Sequence, residues 1–208
     1  MIQKDIYKDF DTDRLSRVLF QLTLSFSYAV DAKDVYTNGH SMRVADYTRE
    51  IAKHAGMTLQ EQKELYMAGL LHDIGKIGIP DSILNKTSKL TDVEFNTIKS
   101  HVKIGADILD NITEFPFLAI GARYHHERFD GKGYLLGLSG ENIPQYARII
   151  CVADAYDAMT SNRSYRVICD QSYVREEFEK GKGKQFDPEY ADIMLWMIDQ
   201  DVNYTMHG

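Results

Sequence analysis

The sequence predicts an all-α fold, a compact single-domain helical bundle. Three observations point there. Apolar residues recur with the helical period in several segments, no segment alternates with the two-residue period of a half-buried strand, and two Thr-x-x-Glu spacings mark helix starts. The chain has 208 residues, 44% apolar and 26% charged, enough for one domain with a sizeable core. No Pro-rich or Gly/Ser-rich stretch divides it.

The elements follow in order. Leu15, Val18, Leu19, Leu22 and Phe26 lie on one face of a first amphipathic helix, and Val44, Thr48, Ile51 and Ala52 mark a second. Thr58 and Glu61 have capping-box spacing and open a third helix, expected to run to about Ile79, before Pro80. Thr91 and Glu94 repeat the spacing and open a helix over about 91–110. Another helix carries Ala119 to His125. The stretch 127–143 holds Gly131, Gly133, Gly137 and Gly140 and reads as a long loop. Pro144 suits the first turn of a helix carrying Arg148 to Thr160. Asp187 and Pro188 read as N-cap and first residue of a last helix, with Ile193, Trp196 and Met197 on its buried face.

Composition narrows the function. A net charge of -7 argues against a protein that grips long nucleic acid by its phosphates, while leaving a small anionic substrate open through local cations and metal ions. No apolar run is long enough for membrane insertion, and Met1-Ile2-Gln3-Lys4-Asp5 does not read as a signal peptide. The two cysteines, Cys151 and Cys169, make no disulfide framework, so a reducing cytoplasm is the expected location.

Five of the seven histidines, His40, His72, His101, His125 and His126, join Asp73 and Asp154 on or at the ends of expected helices. Leu70, Leu71 and Ile74 mark the His72-Asp73 helix as buried. A buried His-Asp pair with Lys76 close by is costly unless something compensates, and a bound cation does so by using the ligand lone pairs and cancelling the charge. A single histidine on an apolar face is more often a hydrogen-bonded core residue. His54 fits a helix end, and His207 a frayed tail. The case for metal is therefore the joint one.

Several long motifs carry a family resemblance. Tyr36-Thr37-Asn38-Gly39-His40-Ser41, Ala68 to Asp81 around His72-Asp73, His125-His126-Glu127-Arg128-Phe129-Asp130-Gly131-Lys132-Gly133-Tyr134, and Ile143-Pro144 through Ser161 resemble the HD superfamily of metal phosphohydrolases, specifically its HD-GYP branch. The resemblance covers roughly residues 20–190 and suggests a helical extension or linker over 1–19 ahead of a catalytic domain over 20–208. It implies a binuclear centre. His40, His72, Asp73 and Asp154 would hold one divalent metal, and Asp73 would bridge to a second held by His101, His125 and His126. Imidazole with carboxylate suits iron, manganese, zinc or nickel, and the family favours iron or manganese.

The implied activity is hydrolysis of a cyclic dinucleotide, cyclic di-GMP above all, to a linear dinucleotide by a metal-activated hydroxide. Asp73 and Lys76 are the expected catalytic residues, Lys76 neutralising phosphoryl charge. Arg163, Arg166 and Tyr134 are expected on the substrate, and Asp157 either on the substrate or behind a ligand. Backbone N–H groups of the 131–133 loop are expected near the substrate. The chain reads Gly133-Tyr134-Leu135 where the family carries Gly-Tyr-Pro, which bears on substrate positioning and on docking to partner signalling domains. A non-catalytic cyclic-dinucleotide sensor and a hydrolase for another nucleotide are the competing readings. Tyr36 stands where some members carry an acidic residue for a third metal, so two metals are expected, with Asp34 as a substitute ligand, helix cap or substrate contact.

Overall fold

The computed structural model describes residues 12–34, 39–161 and 169–206. Tyr36, Arg163, Arg166 and His207 lie outside them. The described residues form ten α-helices: α1 Thr12–Lys33, α2 His40–His54, α3 Leu59–Leu71, α4 Asp81–Leu84, α5 Asp92–Lys99, α6 His101–Leu109, α7 Pro116–Tyr124, α8 Gln145–Thr160, α9 Gln171–Gly181 and α10 Pro188–Gln200. Short 3-10 turns cover Ile74–Gly78 and Gly140–Asn142. No β-strand occurs among the described residues, and none of their helices is long and apolar enough to cross a membrane.

Helix α2 packs on α3 and α8, α7 packs on α3, α6 and α8, and α9 and α10 close one side. The core between them holds Leu65, Leu70, Ile149, Ile150, Tyr156 and Phe178, all essentially out of solvent, each side chain contributing roughly 1.5–3 kcal/mol by burial. Small residues set the closest approach. A Cβ on Gly69 would lie 2.8 Å from Ala45 Cα, so α2 and α3 touch backbone to backbone. Both capping boxes form. Thr58 accepts from the Glu61 N–H while Glu61 accepts from the Thr58 N–H, and Thr91 pairs with Glu94 in the same way.

Four expectations change. Helix α3 ends at Leu71 rather than near Ile79, because the chain tightens into the 3-10 turn where Gly75 meets α6. A Cβ at Gly75 would lie 1.9 Å from the His101 carbonyl oxygen, so this approach requires glycine. The helix expected over 91–110 is two, α5 and α6. It breaks at Ser100, whose N–H and hydroxyl both turn back to the Thr97 carbonyl and compete with the regular ladder. On α10 the buried face is Tyr190, Ala191, Met194, Leu195, Met197 and Ile198, whereas Trp196 is 48% exposed and lies against His54. On α1 the inward residues are Thr23, Ser27 and Val30, and the apolar face read from the sequence stays open. Leu19, Leu22 and Phe26 line a groove of about 330 Å³ with Ile77, Ile108 and Phe115. Helix α9, with Val174 and Phe178 buried, adds an element to those expected.

Candidate metal centre

Helix ends converge on one point. His40 is the first residue of α2, after Gly39 in the left-handed region at φ 71°. His72 follows the last turn of α3, with Asp73 opening the 3-10 turn. His101 starts α6, His125 and His126 follow α7, and Asp154 projects from the middle of α8. His40, His72, Asp73, His101 and His125 are buried. Helix ends suit this task, since a side chain there can point along the axis into the space between helices.

Asp73 stands at the middle. Its Oδ1 is 3.1 Å from His101 Nε2 and 3.6 Å from His125 Nε2. Its Oδ2 is 3.5 Å from His72 Nε2 and 3.6 Å from His40 Nε2. One oxygen therefore serves each of two groups: Asp73 with His101, His125 and His126, and Asp73 with His40 and His72. In each group the ligand atoms lie within 4.8 Å of one another. Asp154 Oδ1 is 3.6 Å from His40 Nε2, at the rim of the second group.

The hydrogen bonds fix which ring nitrogen carries the proton. Nδ1 of His72 donates to Gly69 O at 2.7 Å, Nδ1 of His101 to Ile98 O at 2.7 Å, and Nδ1 of His125 to Ala122 O at 3.0 Å. Nδ1 of His40 donates to Asp157 Oδ2 at 2.7 Å. In the neutral ring the Nε2 atoms then carry lone pairs. These lone pairs face each other, His40 against His72 at 3.3 Å and His101 against His125 at 3.4 Å. Those of His101 and His125 also face Asp73 Oδ1, a buried oxygen with no hydrogen-bond partner despite its histidine neighbours. Electron pairs aimed at one another and at an unsatisfied carboxylate oxygen are the arrangement a cation resolves. The donor set fits divalent transition metals.

The local electrostatics agree at His72 and His126 and differ at His40, where a cation would have to displace a proton. Burial drives His72 down to about 4 and, with His125 and His101 nearby, drives His126 well below the usual histidine range, so both rings are neutral at pH 7. Burial opposes ionisation of Asp73, but Lys76 and the histidines outweigh it and hold the carboxyl well below its ordinary value. At His40 burial disfavours charge, yet Asp157 and Asp73 prevail and raise the ring to about 9.

Lys76 does not stand free beside the cluster. Its Nζ lies 2.8 Å from Asp73 Oδ2 and 2.7 Å from Asp34 Oδ2, so the ammonium bridges two carboxylates. Of the two roles considered for Asp157, the geometry gives the one behind His40. Its side chain is fully enclosed, with Oδ2 on His40 and Oδ1 accepting from Arg43 Nε at 2.5 Å.

Tyr134, expected on the substrate, lies beside the histidine cluster. Its ring stacks on His126 with centroids 4.8 Å apart and planes 27° apart, and the Lys99 ammonium sits 5.9 Å from its centroid. Gly133 makes this possible, since a Cβ there would be 2.4 Å from Arg128 N. The loop N–H groups of Leu136, Gly137 and Leu138 turn inward to the buried Glu127 carboxylate.

The family model described as HD domain matches residues 25–190. The chain belongs to the HD domain family. This HD domain is 38% identical over 192 residues to a cyclic di-GMP phosphodiesterase of Thermotoga maritima, covering 91% of this chain and 50% of that protein. It is 36% identical over 183 residues to the 3'3'-cGAMP-specific phosphodiesterase 2 of Vibrio cholerae, covering 86% of this chain and 35% of that protein. It thus spans half or less of these curated relatives. The crystal structure of a cyclic GMP-AMP specific phosphodiesterase of V. cholerae matches with a TM-score of 0.66 at 18% identity, over 88% of this chain and 49% of that one, a likeness of fold.

Three residues of this HD domain escaped functional assignment from sequence: Arg43, Glu127 and, as a partner of Lys76, Asp34. Each sits behind a site residue, on His40's carboxylate, on the 127–143 loop and on Lys76 respectively. Only Glu127 left a signal, directly after the His125-His126 pair.

Proposed function

We propose that this HD domain is a metal-dependent phosphodiesterase that hydrolyses a cyclic dinucleotide, cyclic di-GMP first, to the linear dinucleotide. The observation that carries it is the pair of facing Nε2 groups on the two oxygens of Asp73, a donor set divided for two cations. His40, His72, Asp73 and Asp154 hold one ion and Asp73, His101, His125 and His126 the other, with iron or manganese favoured and zinc or nickel compatible. Bound there, the ions supply an activated water and neutralise phosphoryl charge.

The chain's own groups do the rest. The carbonyls of Gly69, Ile98 and Ala122 and the Asp157 carboxylate keep each ring turned with Nε2 inward. Lys76, itself held by Asp34, pairs with Asp73 from outside and carries its positive charge next to the site. Arg163 and Arg166 are proposed to grip phosphate or guanine edges, which guanidinium forks suit. Residues 20–208 are the proposed catalytic unit and 1–19 the extension. The cytoplasm is the proposed location, supported by two free cysteines.

The deciding experiment is anaerobic purification with metal analysis, followed by assay of cyclic di-GMP, 3'3'-cGAMP and cyclic di-AMP with manganese or ferrous iron. Turnover of one of them is expected. Tight binding without turnover of any would replace the enzyme by a sensor. Anomalous scattering at the metal edge is expected to show two peaks, one on each side of Asp73, and a third full peak beside Asp34 would overturn the binuclear count.

A further inference from the structure

We propose that Glu127 is a positioning residue that builds the substrate-facing wall of the site by serving as the internal anion of the 127–143 loop. Its side chain is 2% exposed, yet it meets no cation among the contacts described. Instead Oε1 accepts from the Leu136 N–H at 2.6 Å and the Gly137 N–H at 3.1 Å, and Oε2 accepts from the Leu138 N–H at 3.1 Å. Three successive backbone N–H groups converging on one carboxylate form an anion-binding nest. In many proteins such a nest receives a phosphate. Here it is filled from within.

The consequence lies at Tyr134, which sits between two fixed points. On one side Gly133 is pressed against the backbone of His126 to Arg128, and the Tyr134 N–H donates to His126 O at 3.2 Å. On the other side the nest clamps residues 136–138. Between the clamps the tyrosine ring is laid on His126, and Leu135 and Leu136 are turned out, 41% and 61% exposed. The loop's far arm is tied separately, Phe129 N–H to Gln185 O and Asp130 N–H to Lys184 O, so Glu127 controls the arm nearest the histidines. A carboxylate is required because no neutral side chain presents acceptors on both oxygens. The Glu127→Gln amide keeps one acceptor and sets its NH2 against an N–H.

The kinetic part of this proposal rests on the cyclic-dinucleotide reading, and the structural part does not. The test compares metal-loaded wild type, Glu127→Gln and Glu127→Ala by hydrogen exchange without nucleotide, by metal analysis, and by kinetics on cyclic di-GMP. Slow exchange at amides 136–138 is expected in wild type and fast exchange in both variants, with α6 and α7 unchanged and metal content retained. KM is expected to rise about tenfold or more in Glu127→Ala while kcat changes by less than about threefold, as for a group acting on substrate binding. Glu127→Gln, nearly the same shape, gives the same direction if the alanine protein folds poorly. Unchanged exchange at 136–138 overturns the proposal, as does loss of metal with the loop still protected or a fall in kcat with KM unmoved. A wild type that turns over no cyclic dinucleotide would overturn the substrate reading, and the exchange result would still decide the role of Glu127.

Discussion

The histidines grouped around Asp73 are held in two different ways. His72, His101 and His125 are each turned by a carbonyl three residues earlier in the chain. His40 is turned by Asp157, 117 residues away on α8, which is itself held by Arg43. The first kind of hold is local: it forms wherever the helix end forms. The second exists only when α2 and α8 are packed together. The difference teaches that three of these rings are set by secondary structure and one, His40, by tertiary contact, so the group that contains His40 should fail differently from the other when disturbed.

The largest effect tests what the halves share. Asp73→Ala removes the one carboxylate that faces both groups, so both metals and all activity are expected to go, and His72→Ala is expected to follow closely. Near-normal hydrolysis by Asp73→Ala would show that the halves do not depend on a bridge.

A smaller effect separates the halves. Asp157→Ala leaves the three carbonyl-held rings in place and frees only His40. Metal titration is expected to show one site weakened by about 10- to 100-fold and the other little changed. Equal weakening of both sites would erase the distinction between local and remote holds. A still smaller change is expected from Leu135→Pro. This residue is 41% exposed, so metal content should stay constant while KM for cyclic di-GMP moves modestly, downward if proline pre-orders the loop. Loss of metal in that variant would place the loop inside the ligand set.

The smallest effect belongs to His54→Ala. His54 lies against the half-exposed Trp196 with ring centroids 4.5 Å apart and planes tilted by 58°, far along α2 from His40. Activity and metal content are expected to stay within about twofold, and stability within about 0.5 kcal/mol by thermal unfolding, the usual range for a surface substitution. A large loss of metal would mean that disturbing the outer end of α2 is transmitted to His40.

The sequence alone determined the helical class, both capping boxes, the Asp187-Pro188 helix start and the set of histidines and aspartates that meet. These are legible because caps and periodicity act within a few residues, and because metal-ligating residue types are rare enough in helices to stand out together. It also showed that α1 has an apolar face. Only the tertiary structure decided that this face stays open while Thr23, Ser27 and Val30 turn inward, since a period reports which side is apolar and not what lies opposite. The same limit explains Trp196. The break at Ser100 and the end of α3 at Leu71 came from competing hydrogen bonds and from the close approach of Gly75 to His101. The roles of Asp157, Asp34 and Glu127 were likewise tertiary decisions. A carboxylate's function depends on which donors surround it: His40 and Lys76 reach Asp157 and Asp34 only when distant segments fold together, and the amides of 136–138 reach Glu127 only when the loop folds back on itself.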